Sequence, residues 1–319
     1  MTLNVLVCGA RGFIGRAVVR ALQARGHRVV LGVSPRRGPA PVPGEGPGPG
    51  RRLAMDFATE ADPATWQPRL AGIDAVVNTV GVLRDTRARP IEALHHTGPA
   101  ALFEACARAG IRRVVQVSAL GIDGSDTPYA TTKRAAERAL AGLAAAARLD
   151  PVVLRPSIVF GRGGASSELF LLLSRLPLLV LPGPMVTAAI QPVAVDELAE
   201  VIAGLVDAPL PRLDVPGPAH APALPVWPAV GPRPVRLADF IASLRAQASR
   251  TPARTWVLPD EATRFTARLG DHVPASPWCS DALSLLGQDN VADPAAFAAL
   301  LGRPATPFDQ LLAHSRTPA

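Results

Sequence analysis

Tyrosine and lysine each occur once in this chain of 319 residues, as Tyr129 and Lys133. Every other basic side chain except histidine is arginine. Aromatic residues are only 4% of the total, so Leu, Val and Ala must carry the packing. The three cysteines, Cys8, Cys106 and Cys279, are odd in number and far apart, which excludes a disulfide framework. They read as reduced, buried thiols. The six histidines form no ligand motif, and His95-His96 lacks a spaced carboxylate or thiol, so no metal centre is expected. No internal repeat is present. The most apolar run, Leu169 to Leu181, is interrupted by Arg175 and Pro177 and is too short to span a bilayer. It reads as a buried helix and turn; the alternative is an apolar lip facing a greasy substrate or a membrane surface. Strand-like sequence begins at Leu3, which predicts a chain without signal or transit peptide and hence a cytoplasmic location. The net charge is +7, but the arginines are spread out without interleaved aromatics, which argues against nucleic acid as a partner.

Against that background the Tyr129–Lys133 pair stands out. Four residues apart, the two side chains share one face of a helix. A chain that uses arginine for positive charge keeps lysine at this one place, where a guanidinium is too wide and cannot lose its proton.

The order of elements predicts an α/β fold of the Rossmann type, a doubly wound parallel sheet with a smaller, mostly helical C-terminal lobe. Leu3 to Cys8 reads as a central parallel strand. Gly9-Ala10-Arg11-Gly12-Phe13-Ile14-Gly15 follows, and then an amphipathic helix to Arg25. Strand, glycine turn and helix together form a dinucleotide site: the glycines admit the pyrophosphate and the helix N-terminus faces its charge. The second strand, Arg28 to Val33, ends in Ser34-Pro35-Arg36-Arg37 rather than a carboxylate. A hydroxyl and two guanidiniums suit a 2′-phosphate, so NADP(H) is the preferred cofactor, with NAD(H) the alternative. Further strands are expected at Leu53 to Phe57, with Asp56 and Phe57 at the adenine, at Asp74 to Asn78, leading into Thr79-Val80-Gly81 beside the cofactor, at Arg112 to Ser118 and at Val152 to Arg155. Helices are expected over Pro90–Ala109, Pro128–Ala147, Ser166–Leu176 and from an N-cap at Asp196 to Val206, with Leu210 to Pro234 a proline-rich connection. The tail reads as short helices near Leu237–Ala248, Asp260–Leu269, Pro294–Leu301 and Phe308–Ala313. The nucleotide-binding domain is assigned to residues 1–165 with 190–208, and the smaller substrate or partner lobe to 166–189 and 209–319.

Gly9-xx-Gly12-xx-Gly15, Asn78-Thr79-Val80-Gly81, Tyr129-xxx-Lys133 and Leu154-Arg155-Pro156-Ser157-Ile158-Val159-Phe160-Gly161 together resemble an extended or atypical short-chain dehydrogenase/reductase, of the NAD-dependent epimerase/dehydratase kind. Val76 to Arg84, Gln191-Pro192-Val193 and Leu300 to Pro304 are similar to the branch that includes the nucleotide-binding accessory subunit of respiratory complex I. The resemblance implies Tyr129 as general acid or base, Lys133 as ligand of the nicotinamide ribose and as the charge that lowers the phenol's pKa, and Ser118 as the hydroxyl on the substrate oxygen. It places Pro156, Ser157 and Ile158 on the nicotinamide side. The chain departs from the pattern twice: Ala119 occupies the seat that often carries the working serine, and His95 the seat often filled by asparagine. Two functions are implied. One is an NAD(P)(H)-dependent oxidoreductase or epimerase/dehydratase acting on a small molecule, apolar or quinone-like in one reading. The other is a non-catalytic accessory subunit or assembly factor, in peripheral contact with the inner membrane or a membrane complex. Oligomeric state is not readable from the sequence.

Overall fold

The computed structural model describes residues 1–35, 51–209, 224–272 and 278–315. β1 (Asn4–Cys8) has four consecutive fully buried residues, as a strand covered on both faces requires. The chain turns at Gly9, whose φ of +79° lies in the left-handed region open to glycine. It then enters α1 (Phe13–Ala24), which buries Val18, Val19 and Leu22. β2 (Arg28–Val33), β3 (Arg52–Ala54), α2 (Pro63–Trp66) and β4 (Ala75–Asn78) follow. The third strand therefore stops at Ala54, short of the expected Phe57, because Asp56 opens a turn: its carboxylate accepts from the Ala58 N–H and its own N–H donates to Glu60.

The expected helix over Pro90–Ala109 is divided. Ala93–Thr97 is a π turn, and α3 (Gly98–Arg108) starts only after it. Pro99 at the start of α3 has no N–H to continue an α-helical ladder from the preceding turn, which accounts for the break. β5 (Arg113–Val117), α4 (Pro128–Ala145) and β6 (Asp150–Pro156) complete the regular alternation. After β7 (Val159–Phe160) comes α5 (Ala165–Leu173). The apolar run 169–181 is not one buried helix and turn: α5 ends at Leu173, three residues short of the expected Leu176, and after Pro177 β8 (Leu178–Pro182) is a strand with Leu179 and Leu181 buried and Leu178 and Val180 exposed. α6 (Gly183–Thr187), β9 (Ala189–Ile190), β10 (Val193–Ala194) and α7 (Val195–Asp207) follow, so Asp196 lies inside the first helical turn rather than at the cap.

The described end of the proline-rich connection is not loop but β11 (Val226–Ala229). Pro228 within it is tolerated because β11 is an edge strand, where one row of N–H groups has no ladder partner. β12 (Val235–Arg236), α8 (Leu237–Gln247), β13 (Arg254–Leu258), α9 (Asp260–Asp271), α10 (Ser280–Leu286), α11 (Ala295–Leu301) and α12 (Leu311–His314) finish the chain. Of these, β12, β13 and α10 depart from the expected run of short helices, and the last helix starts three residues later than expected.

The main sheet has seven strands in the order β11-β6-β5-β4-β1-β2-β3, and the pairings from β6 across to β3 are parallel. The chain leaves β1 toward β2 and returns at β4 on its other side. The strand order thus reverses between β1 and β4, and the crevice at the carboxyl ends of those strands is where such folds bind ligands.

The chain divides into two compact units. The first is Met1–Ala119, Pro128–Arg155 and Leu198–Trp227. Its core includes Leu6, Trp66, Leu102, Phe103 and Leu140, with the thiols of Cys8 and Cys106 buried among them. The second is Leu120–Thr127, Pro156–Glu197 and Pro228–Ala319, with a core built on edge-to-face contacts of Phe240 with Phe160 and Phe170. Helices predominate in it, joined by three two-stranded pairings, β10–β7, β12–β9 and β13–β8. The buried Glu197 fixes its C-terminal tail, accepting from Arg303 and from the N–H and hydroxyl of Thr306. No helix among the described residues is long and apolar enough to cross a membrane.

Candidate active site

In the first unit a cavity of about 310 Å³ opens at the β1/β4 crevice. Its walls include Gly9, Arg11 and Gly12 from the glycine turn, Ser34 after β2, Asp56 and Phe57 after β3, and Thr79, Val80 and Gly81 after β4. Phe13 and Ile14 start α1 and Gly15 is buried in its first turn; none of the three is on the cavity wall. Gly15 serves the turn: a Cβ there would lie 2.1 Å from the Gly9 carbonyl oxygen. The Thr79 hydroxyl is committed to the scaffold, donating to the Cys8 carbonyl at 2.8 Å and so tying β4 to β1. Arg36 and Arg37 lie outside the described residues.

These residues fit a dinucleotide. Gly12 is the N-cap of α1 and offers no side-chain cap, and the first turn carries no acidic residue. The N–H groups of the first turn are therefore left for a ligand, at a helix end whose dipole favours an anion such as a pyrophosphate. Eight further wall residues escaped the sequence reading: Gly32 and Val33 at the end of β2, Met55 and Ala58 around the turn after β3, and Val82, Ala88, Arg89 and Leu94. Val82, Ala88 and Arg89 come from the irregular stretch between β4 and the π turn, which has no periodicity to read, and Leu94 from the π turn itself.

Lys133 and Tyr129 lie on the first two turns of α4, with the lysine ammonium 6.0 Å from the tyrosine ring centroid. Lys133 is buried and its Nζ donates to the Val117 carbonyl at 3.2 Å, at the end of β5. A Cβ on Gly81, part of the cavity wall, would come within 3.5 Å of that Nζ, which sets Lys133 at the cavity's edge. Burial holds the lysine down at about 8, against the pull of Glu137 one turn further along α4. Glu137 is itself buried and bound bidentately by Arg155, at 3.0 and 2.5 Å. Arg155 thus acts behind the site, through Glu137.

Burial pushes the Tyr129 phenol up to about 12. The lowering expected from the neighbouring lysine does not outweigh it. Ser118, next in the chain to Val117, is buried, and its Oγ has no hydrogen-bond partner among the described residues. An orphan buried hydroxyl costs stability unless something completes it, so Ser118 is suited to a ligand oxygen. Pro156, Ser157 and Ile158 belong to the second unit. There the Ser157 hydroxyl donates to the Asn290 carbonyl and accepts from the Gln191 N–H, so it is already spent on structure.

His95 proves to be a hub. Its Nε2 accepts from the Val82 N–H at 2.9 Å, so its Nδ1 carries the proton and donates to Thr132 Oγ1 at 3.1 Å. Thr132 Oγ1 in turn donates to the Pro128 carbonyl at 2.6 Å. The ring also packs edge-on against Tyr129, centroids 5.3 Å apart. Burial, with the charges of Lys133 and Arg89, lowers its pKa to about 2. The result is a neutral imidazole of fixed tautomer that joins the loop after β4 to the first turn of α4.

A parallel sheet reversing at β1/β4, a glycine turn on an uncapped helix and a Tyr-Lys pair beside it define a nucleotide-binding protein of the short-chain dehydrogenase/reductase type. Residues 5–178 match the NAD dependent epimerase/dehydratase family, and the chain belongs to that family. Among curated relatives it is 29% identical over 199 residues to a protein named ceramide reductase from Caulobacter vibrioides, covering 61% of this chain and 58% of that one. It is 31% identical over 185 residues to a 3-diazoavenalumate denitrifying reductase from Streptomyces, covering 50% and 58%. The matches thus span less than two thirds of either relative. Among solved structures, DesIV, a dTDP-glucose 4,6-dehydratase from Streptomyces venezuelae with NAD and TYD bound, superposes with a TM-score of 0.69 at 18% identity, over 98% of this chain and 95% of that one.

Proposed function

We propose that this protein is an NAD(P)(H)-dependent oxidoreductase that reduces a carbonyl, or oxidises the corresponding alcohol, on a small apolar substrate. The observation that carries the reading is the convergence of the buried Lys133 and the orphan Ser118 hydroxyl at the end of β5, with Tyr129 one helical turn away. When bound, the nicotinamide supplies or accepts hydride. Lys133 holds the ribose hydroxyls, and its charge opposes the burial that raises the phenol. Ser118 donates to the substrate oxygen, and Tyr129 gives or takes the proton there. His95 keeps the Tyr129 ring in place. The preference for NADP(H) rests on the absence of a carboxylate after β2 and on Ser34, Arg36 and Arg37. The relative named a ceramide reductase favours an apolar substrate.

A second reading is a non-catalytic nucleotide-binding accessory subunit or assembly factor, related to respiratory complex I or to quinone metabolism. Ala119 in the seat of the second serine and a phenol raised to about 12 favour it. The two readings separate on one assay. Parent and Tyr129→Phe proteins are mixed with NADPH or NADH and a panel of carbonyls and quinones. The enzyme reading expects nucleotide oxidation by the parent and a loss of roughly a hundredfold or more in the variant, with nucleotide affinity retained. Binding without turnover, identical in both proteins, assigns the accessory role instead. The nucleotide preference is checked with Arg36→Ala plus Arg37→Ala, which should lower the NADPH-to-NADH affinity ratio; an unchanged ratio overturns it.

A further inference from the structure

Exposed apolar side chains concentrate in two adjoining stretches of the second unit. On the β8–β13 ribbon, the parallel register pairs Leu178 with Arg254 and Val180 with Trp256. Residues two apart on a strand share a face, so Leu178, Val180, Arg254 and Trp256 lie on the same side. That side faces out: Trp256 is 66% exposed, and Leu178 and Val180 nearly half. One residue, Pro259, separates β13 from α9. This helix is inverted relative to an ordinary surface helix. It buries the small residues Thr263, Ala267 and Gly270 and turns Phe265, 68% exposed, and Leu269, 59% exposed, outward. Arg264 and Arg268 form the row beside them, four residues apart.

Large apolar groups exposed together mark an interaction surface. The charge around them selects the partner. Five exposed guanidiniums, of Arg175, Arg250, Arg254, Arg264 and Arg268, lie in or beside these stretches, against three acids, Asp260, Glu261 and Asp271, the last of which accepts from the N–H and hydroxyl of Ser280. None of the five is in an ion pair among the described residues, although arginines elsewhere in the chain are, as in the Arg155–Glu137 and Arg303–Glu197 pairs. Tryptophan, phenylalanine and leucine interleaved with unpaired arginine match the interface of an anionic bilayer: the rings enter the headgroup boundary while the guanidiniums meet phosphate. We propose that the β8–β13 ribbon and α9 dock this protein on the surface of an anionic lipid membrane.

The test is flotation of the full chain with vesicles of phosphatidylcholine alone or mixed with phosphatidylglycerol. The parent should float with the anionic vesicles, lose that binding as salt rises, and show a blue shift of tryptophan emission. Trp256→Ser with Phe265→Ser should weaken binding roughly tenfold or more and abolish the shift. Arg264→Gln with Arg268→Gln should weaken it by a similar factor and flatten the salt dependence. All four side chains are exposed, so thermal midpoints should match the parent and confirm that the variants fold. Equal binding by parent and variants overturns the proposal. So does a parent that ignores anionic vesicles at low salt but sediments as a dimer that Trp256→Ser dissociates, which would make this face a contact between two copies of the chain.

Discussion

His95 offers a sharp test of how the site is held, through acid sensitivity. The imidazole is neutral in the folded protein, with its pKa lowered from 6.5 to about 2, chiefly by burial. In the unfolded chain it titrates near its ordinary value. Between those two values the unfolded state binds the extra proton, so stability falls as pH falls through 6.5 and the loss continues toward 2. At 1.36 kcal/mol per unit the full shift corresponds to roughly 6 kcal/mol, a ceiling the protein does not reach if the loop opens locally first. From pH 6.5 to 4.5 the contribution is about 2 kcal/mol, a large fraction of a typical domain's stability. His95→Gln is the informative variant. A glutamine amide can accept from Val82 and donate to Thr132, but it cannot take up a proton. Urea unfolding at pH 7 and pH 4.5 should show the parent losing about 2 kcal/mol more than the variant over that interval. Equal losses in the two proteins, or a His95 resonance titrating near 6.5 in the folded state, would refute the argument.

Two further perturbations follow from the geometry. Gly15→Ala should lower dinucleotide affinity by about tenfold or more, because its Cβ would collide with the Gly9 carbonyl and deform the turn; calorimetric titration of either nucleotide reads this, and unchanged affinity contradicts it. Arg155→Met strands the buried Glu137 carboxylate and should destabilise the protein by about 3–5 kcal/mol in denaturant unfolding, while adding Glu137→Leu should recover much of that loss. A single variant as stable as the parent would mean that Glu137 finds water or another partner.

Local chemistry was what the sequence made legible. The first strand, the glycine turn and α1 could be read because strand burial, turn and helix periodicity all fall within about twenty residues, and the Tyr129–Lys133 spacing because four residues is one helical turn. Features set by distant partners were not legible. Pro228 disguised β11, since proline argues against a strand until the strand is known to be an edge. β13 has four exposed residues and no alternation, and only its pairing with β8 makes it a strand. Within the site, His95 was visible as a departure from the family pattern. Its role depends on Val82 and Thr132, which meet it from two other segments. Glu137 gave no signal either, because a glutamate four residues after a lysine on a helix usually reads as a solvated pair, and here both are buried.

The central claim is that the nicotinamide held beside Lys133 exchanges hydride with a substrate while Tyr129 handles the proton. Transfer of deuterium from C4-labelled NADPH or NADH into a reduced carbonyl product, followed by mass spectrometry, tests it most directly. Label in the product with the parent, and roughly a hundredfold less labelled product per unit time with a Tyr129→Phe protein that still binds the nucleotide, is the expected result. A parent that binds the labelled nucleotide tightly yet delivers no deuterium to any carbonyl or quinone offered would contradict it.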